Sequence, residues 1–299
     1  QVGEHWECIS LSHVQQLVKG CKLVLGLEED GSEGIYVDFD VFQAQEPIVK
    51  DGFSYMTTEI TREKPTNYEK IAAVIHNEKM NNGHVVWVLG PAVCHSSGRK
   101  HMSWFIENGY VQSILGGNAI AVHDCEASYL GTSLGMDKDG CPVKHGHRKH
   151  LDLMVAVHNA GGIYSAVNSG MIRDGIMYSC VKNNIPFVLC GSIRDDGPLK
   201  EVISDSQEGQ DLMREQTKQA TVVVMIATAL HSIAAGNLLP CFYVKINRIE
   251  PVTTICVDQT EFVPNKLIDR GTHQTYGIVT NAQDFLEVLK VKLDEIMQH

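Results

Sequence analysis

Several segments of this chain gather residues able to do chemistry, each placed just behind a run of β-prone residues. Gly90-Pro91-Ala92-Val93-Cys94-His95-Ser96-Ser97-Gly98-Arg99 joins a glycine, which lets a ligand approach the backbone, to a helix start with free N–H groups for an anion. The spacing is not GxGxxG, so the usual dinucleotide fingerprint is absent. Gly116-Gly117-Asn118-Ala119 predicts positive-φ backbone beside a second helix start, suited to a phosphate or a ribose. Beyond it, His123, Asp124 and Glu126 bring an imidazole and two carboxylates into one turn, a set able to do acid–base work on an amine. Gly191-Ser192-Ile193-Arg194-Asp195-Asp196-Gly197-Pro198 is not core composition. There Arg194 can grip a carboxylate or phosphate in a bidentate fork, and Asp195 or Asp196 can bind an amine or act as general base. The bland alternatives are a capped turn, a solvated acidic face and a surface ion pair.

Other signals are weaker. His231 lies in an apolar run, where a histidine is more often a satisfied core residue, yet Gly236 and Asn237 follow closely and keep it a candidate. Asp258 ends an apolar run, a place where an acid takes ribose hydroxyls of an adenosine cofactor. His145, His147 and His150, with Cys141, have metal-ligand residue types, but Lys144, Arg148 and Lys149 among them oppose a cation. A solvated basic segment is the expectation there, and no metal.

The elements that must position these residues follow from the apolar rhythm. Strands are predicted at 84–89, 113–115, 186–190, 221–226, 253–257 and 276–279, and helices at 98–107, 151–159, 172–182, 209–219 and 282–297. The strands are continuous apolar runs rather than alternating ones, as expected when helices cover both faces of a sheet. Alternating β and α elements predict a doubly wound, mostly parallel α/β sheet, with ligands beyond the carboxyl ends of its strands. Residues 1–80 differ: β-prone runs at 22–27, 34–39 and 53–60 precede a helix at 67–79, which suggests a small β-rich domain with a linking helix ahead of a domain at 81–299.

Composition narrows the function classes. The 299 residues carry 36 acidic against 25 basic side chains, a net charge of −11, with 43% hydrophobic residues. A nucleic-acid binder needs clustered cations, so that class is excluded as an expectation. The most apolar stretch, 220–239, is interrupted by His231, Ser232 and Asn237 and reads as a buried strand turning into a helix, not a membrane span. The N-terminus lacks an apolar signal core and an initiator Met, which suggests a processed chain or a fragment. Nine scattered cysteines without CxxC spacing predict reduced, mostly buried thiols in a cytoplasmic protein.

The blocks FSYMTTEITREKP, GPAVCHSSGR, GGNAIAVHDCEASYLGTSLG, GHRKH, GIMYSCVKNNIPFVLCGSIRDDGP, ATALHSIAAGNLLP, CVDQ and GIVT resemble the archaeal-type ornithine cyclodeaminase family. That family is also described as the conserved region of lysine-oxoglutarate reductase/saccharopine dehydrogenase. The chain is similar, too, to the C-terminal half of the cyanobacterial arginine dihydrolase/ornithine cyclodeaminase fusion. The likeness runs from about Phe53 to the C-terminus, with CVDQTEF in place of the family's Asp followed by Asn-Pro and with a longer connection at 241–251. It implies an NAD-dependent ammonia-lyase turning L-ornithine into L-proline. It also implies an NAD-binding domain similar to that of deoxyhypusine synthase, after a small β domain, and a homo-oligomer. For that chemistry, loop position and residue type assign Arg194 to the substrate carboxylate and Asp195 or Asp196 to the amine and proton transfer. His123 and Asp124 are second candidates, while Gly90, Pro91, Ala92, Gly117, Asn118, Ala119, Gly191, Ser192, Gly236, Asn237 and Asp258 are expected to line NAD. The alternatives are a dehydrogenase of another amino acid or imine, and an NAD-binding module without turnover.

Overall fold

The structure is a computed structural model. It describes residues 66–298 except 96, 138–140, 145, 196, 246–247 and 273–274, together with a turn at residues 19 and 20. The strands expected at 22–27, 34–39 and 53–60 lie outside the described residues. The chain divides after residue 64 into two units, and 65–299 is the unit set out below.

Helix α1 (Tyr68–Met80) starts where the Asn67 side chain accepts the Lys70 backbone N–H. Such a cap satisfies one of the donors a helix start leaves unpaired. Expected as a connector, α1 instead packs along the C-terminal helix of this unit and buries Ala72 and Ile75 in its core. The chain then alternates: β1 (Val85–Leu89), α2 (Gly98–Glu107), β2 (Ser113–Gly117), α3 (Asn118–Leu130), α4 (Gly146–Ala160), α5 (Ile163–Asn168), α6 (Ile176–Asn183), β3 (Phe187–Cys190), β4 (Val202–Ile203), α7 (Ser206–Thr217), β5 (Val222–Ile226) and α8 (Ala229–Leu238). A hairpin follows, β6 (Phe242–Lys245) against β7 (Arg248–Pro251), then β8 (Thr253–Asp258), α9 (Phe262–Asp269), β9 (Thr275–Val279) and α10 (Ala282–Met297).

Every strand expected after Gly83 is present, and α2 and α10 keep the expected bounds. The connection at 241–251 is the antiparallel hairpin β6–β7. Helix α6 begins later than residue 172 because Gly175, at φ +99°, stands in the left-handed region just ahead of it. Among the described residues, no helix is long and apolar enough to cross a membrane.

The sheet has seven strands in the order β4-β3-β2-β1-β5-β8-β9, all parallel to their neighbours. Strand β1 is fully buried, and its alternate residues feed two cores. Val85, Trp87 and Leu89 join the core that includes residues of α1, α2, α3 and α10, while Val86 and Val88 join residues of α7, α8 and α9. Burial on both faces is why this strand reads as VVWVL rather than as an alternating pattern. From β1 the chain moves outward through β2 and β3 to β4. It then returns to lay β5 on the other side of β1. The connections leaving β1 and β5 therefore diverge, which opens a crevice at the carboxyl ends of these two strands.

Of the described cysteines, Cys94, Cys125, Cys180 and Cys256 are buried, Cys190 is half-buried, and none forms a disulfide. Burial pushes the Cys94 and Cys125 thiols well up, that of Cys190 to about 11 and that of Cys256 to about 12. Cys141 and Cys241 depart from the expectation of buried thiols and are exposed. Only a thiolate is alkylated rapidly. Brief iodoacetamide treatment of the native chain at pH 7.5 is therefore expected to label Cys141 and Cys241 and to spare Cys94, Cys125, Cys180 and Cys256, as read by peptide mass spectrometry.

Candidate active site

Gly90 follows β1, and its N–H donates to the Ile226 carbonyl (2.8 Å) at the end of β5. The next residue of that strand end, Ala227, has φ +53°, a left-handed conformation that non-glycine residues seldom adopt. This turn presses the Ala227 carbonyl against Gly90, where a Cβ would stand only 1.8 Å from the oxygen. The floor of the crevice is thus bare backbone, followed on the β1 side by a 3-10 turn at Pro91–His95. Pro91 is half-buried and Ala92 exposed on that turn.

Gly117 closes β2 and caps α3. The expectation of positive φ at Gly116-Gly117-Asn118 is corrected: none of the three is left-handed, and Gly117 has φ −116°. These glycines supply clearance instead. A Cβ on Gly116 would meet Ile120 at 2.8 Å, and one on Gly117 would meet the His231 ring at 2.6 Å. No side chain caps α3, so the first-turn N–H groups of Asn118 and Ala119 can serve an anion. The Asn118 side chain turns inward, where its oxygen accepts the Leu199 N–H (3.1 Å).

The loop after β3 adds to the same edge. Asp195 closes it by accepting the Ser192 backbone N–H (2.7 Å), and the Arg194 side chain is exposed. Asp196 lies outside the described residues. His231, in the first turn of α8, sits 3.3 Å from the Thr228 hydroxyl. Burial lowers its imidazole, while the Cys190 carbonyl and the Asp195 carboxylate oppose that shift. Far from being a core histidine, it stands where the ends of β2, β3 and β5 converge. Asp258 ends β8 on this edge, its Oδ1 accepting from the Thr260 backbone (3.1 Å).

Gly236 and Asn237 do not join the crevice, which corrects their expected role. They belong to the last turn of α8, about 10 Å along the helix from its start. Gly236 is there for close packing, since a Cβ would lie 2.5 Å from Leu267 of α9. Both residues border a cavity of about 320 Å³ with Arg270 and Thr272.

On α3, successive residues are about 100° apart around the axis, so His123 and Glu126 share a face that Asp124 does not. Asp124 is completely buried. Its Oδ1 accepts from Arg99 Nε (2.7 Å) and from the Ile176 N–H (2.9 Å), and its Oδ2 from the Met177 N–H (2.7 Å). Arg99 also reaches Asp174 (2.7 Å). The carboxylate is thereby committed to the start of α6 and to α2, which corrects its place among the catalytic candidates. Burial raises its carboxyl, with Arg99 and the two backbone donors opposing.

The other face of α3 carries a compact polar group. Glu126 is fully buried, and its Oε1 accepts from the Thr132 hydroxyl (2.8 Å) and the Gly135 N–H (3.2 Å). Its Oε2 accepts the Leu134 N–H (3.2 Å) and faces His150 Nδ1 at 3.6 Å and His123 Nδ1 at 4.0 Å. The His95 ring stands edge-on to His123, with centroids 5.1 Å apart. Burial, then the neighbouring His95 and His150, lower the His123 imidazole to about 4 against the pull of Glu126, so His123 is neutral at physiological pH. One donor atom each from His123, Glu126 and His150 fall within 4.8 Å of one another. Donors around a tetrahedral zinc ion stand about 3.3 Å apart. The separations from Glu126, 3.6 Å to His150 and 4.0 Å to His123, are wider than that. Of the Cys141–His150 segment, only His150 takes part among the described residues, and Cys141 is exposed. A cavity of about 1190 Å³ on the flank of α2, α3 and α6 adjoins this group through His95 and Thr132.

Sequence reasoning found His123, weighed His150 only as a metal-ligand type and Arg99 only as part of the first loop, and passed over Thr132. The i, i+3 spacing of His123 and Glu126 was a legible signal, whereas the approach of His150 from α4 was not.

Comparison with known proteins bears on this site. Residues 69–289 match the family model described as arginine dihydrolase ArgZ-like, C-terminal, Rossmann fold. A curated ornithine cyclodeaminase of Archaeoglobus fulgidus is 44% identical over 286 residues, covering 95% of this chain and 66% of the relative. The chain thus spans slightly less than two thirds of that relative's length. The crystal structure of a conserved LOR/SDH protein from Methanococcus maripaludis superposes with a TM-score of 0.75 at 41% identity, covering 82% of this chain and 73% of the other. A ternary complex of AgrE with ornithine and NAD+ superposes with a TM-score of 0.71 at 42% identity, over 77% of this chain and 33% of AgrE.

The buried Arg99–Asp124 pair makes a direct prediction. Asp124→Asn removes the buried anion shared by Arg99 and two backbone N–H groups and leaves Arg99 with Asp174 alone, a change that costs about 1–3 kcal/mol. A urea titration is expected to show that loss, and a shift below 1 kcal/mol would refute the anchoring role of Asp124.

Proposed function

The chain belongs to the arginine dihydrolase ArgZ-like C-terminal Rossmann-fold family, and on that premise we propose that it converts L-ornithine to L-proline and ammonia with NAD bound in the β1–β5 crevice. The observation that carries the reading is that α3 joins two features, one at its start and the other about 8–12 Å along its axis. One is a floor of bare backbone at Gly90 and Gly117, and the other is the imidazole–carboxylate group on α3. The family relatives and the AgrE complex with ornithine and NAD+ support it.

The residues fit a dinucleotide. Gly90, Pro91 and Ala92 let it lie against the backbone, and the uncapped start of α3 at Gly117, Asn118 and Ala119 offers N–H groups to its phosphates. Gly191 and Ser192 border the same space, and Asp258 stands where a ribose hydroxyl is taken, a placement that disfavours a 2′-phosphate. When bound, NAD supplies a two-electron acceptor at the α carbon that is restored within the turnover, so the reaction is redox-neutral overall.

The chain's own residues must bind, orient and move protons. Exposed Arg194 holds the substrate carboxylate, with Asp195 or Asp196 on the same loop serving an amine. His123, kept neutral by burial, accepts a proton on the opposite wall. Asp195 also keeps the loop closed through Ser192, so its carboxylate is a positioned group, not a free one. The reading carries with it a cytoplasmic homo-oligomer in ornithine and proline metabolism, with residues 81–299 forming the cofactor-binding domain.

Incubation of the purified chain with L-ornithine and NAD+ is expected to yield proline and ammonia in equal amounts without net NADH. Accumulating NADH would instead establish a dehydrogenase. NAD binding without any product would establish a cofactor-binding module of a longer enzyme. Within the reading, Arg194→Ala is expected to raise the KM for ornithine at least about tenfold, the loss of a charged hydrogen bond, with NAD affinity unchanged.

A further inference from the structure

Glu126 is unusual among the buried acids of this site, because its charge is held by neutral donors. Thr132, Leu134 and Gly135 contribute a hydroxyl and two backbone N–H groups from the segment after α3. Burial alone would raise its carboxyl, but the facing His150 ring and the donors of Thr132 and Gly135 outweigh that and keep it below its ordinary value. Asp124, by contrast, is matched by a guanidinium. The negative charge of Glu126 therefore acts on whatever stands nearest, and that is two imidazoles.

His150 Nδ1 and His123 Nδ1 are both buried, both lack a hydrogen-bond partner, and both face the same carboxylate oxygen. An unpaired buried polar nitrogen is costly, and a carboxylate is an acceptor only. The tautomer that satisfies both rings carries the hydrogen on Nδ1, once the rings close on the oxygen by about 0.7 Å for His150 and about 1 Å for His123. Nε2 then bears the lone pair on the side of each ring turned away from Glu126. His150 remains about one third exposed, so a substrate can reach its ring.

The proposed chemistry requires such a device. When the δ nitrogen bonds to the oxidised α carbon it carries one proton too many, and the α nitrogen must gain one before it leaves as ammonia. One proton thus moves between two nitrogens on the same carbon, with no net change. A group that is first base and then acid performs this, and an imidazole steadied by an anion is suited to both roles.

We propose that Glu126 is the positioning residue for this transfer, fixing His150 and His123 as Nδ1–H imidazoles whose Nε2 atoms exchange the proton with the substrate. The proposal rests on the reading of the chain as an ornithine-cyclising deaminase. His150 and His123 are then the catalytic pair, and Thr132 and the backbone at Leu134 and Gly135 hold their anchor.

The test is histidine-labelled nitrogen NMR on the full chain with NAD, together with kinetics. His150 and His123 are expected as Nδ1–H tautomers, while exposed His158 shows the Nε2–H form that prevails in water. In Glu126→Gln, the amide N–H donates to the rings and drives both to Nε2–H. Proline formation should then fall at least about 100-fold in kcat, with the KM for ornithine and the Kd for NAD within about threefold. His150→Gln, at a half-buried position that does not threaten folding, should show the same split between kcat and KM. Wild-type rings found as Nε2–H, a Glu126→Gln variant that keeps kcat within threefold, or a metal ion bound stoichiometrically by the three side chains would each overturn the proposal. If the wild-type chain forms no proline, the functional reading falls, and the tautomers still decide whether Glu126 sets the rings.

Discussion

The site depends on one constraint, the buried bonding of Asp124. Its two oxygens take the Arg99 guanidinium and two backbone N–H groups at the start of α6, which ties α2, α3 and α6 together around a fully buried carboxylate. Because Asp124 lies between His123 and Glu126 in the chain, fixing its direction fixes theirs. With about 100° between successive helical residues, an aspartate locked toward α2 and α6 turns the next face of α3 toward His95 and His150. The Arg99–Asp124 pair thereby sets the orientation of the helix face on which the acid–base group stands.

A second constraint comes from the sheet. The return of the chain from β4 to β5 places two diverging connections side by side, and the contact between Gly90 and Ala227 keeps that junction free of side chains. The left-handed backbone at Ala227 costs about 1 kcal/mol in a residue with a Cβ. Such strain persists only where surrounding structure holds it, here the bonds from Gly90 to Ile226 and from Ala227 to Val257. The strand ends at this junction are therefore bare backbone, while the rings of His95, His123 and His150 stand on the α3 side.

Electrostatics divides the two walls. Next to the β3 loop, burial lowers the His231 imidazole, with the Cys190 carbonyl and Asp195 opposing. On the α3 side, burial and two neighbouring imidazoles keep His123 neutral in spite of Glu126. Neutral imidazoles beside a buried anion are ready to receive a proton, since the charge so formed is met at once by the carboxylate.

The sequence by itself determined the elements and their order. Continuous apolar runs such as VVWVL and VVVMI can be satisfied only between two helical layers, so the parallel sheet was legible in the sequence. The glycines Gly90, Gly117 and Gly191 were legible as the residues that follow or close strands. What a linear chain cannot carry is direction and distance between elements. Asp124 and Glu126 look alike in sequence, and only the packing of α3 sends one to Arg99 and the other to His150. Gly236 reads like another loop glycine, and only the length of α8 carries it to the α9 interface. His150 comes from a segment whose basic composition spoke for a solvated surface. Its meeting with His123 and Glu126 was decided by the crossing of α4 over α3, a contact between residues distant in the chain that no local pattern encodes.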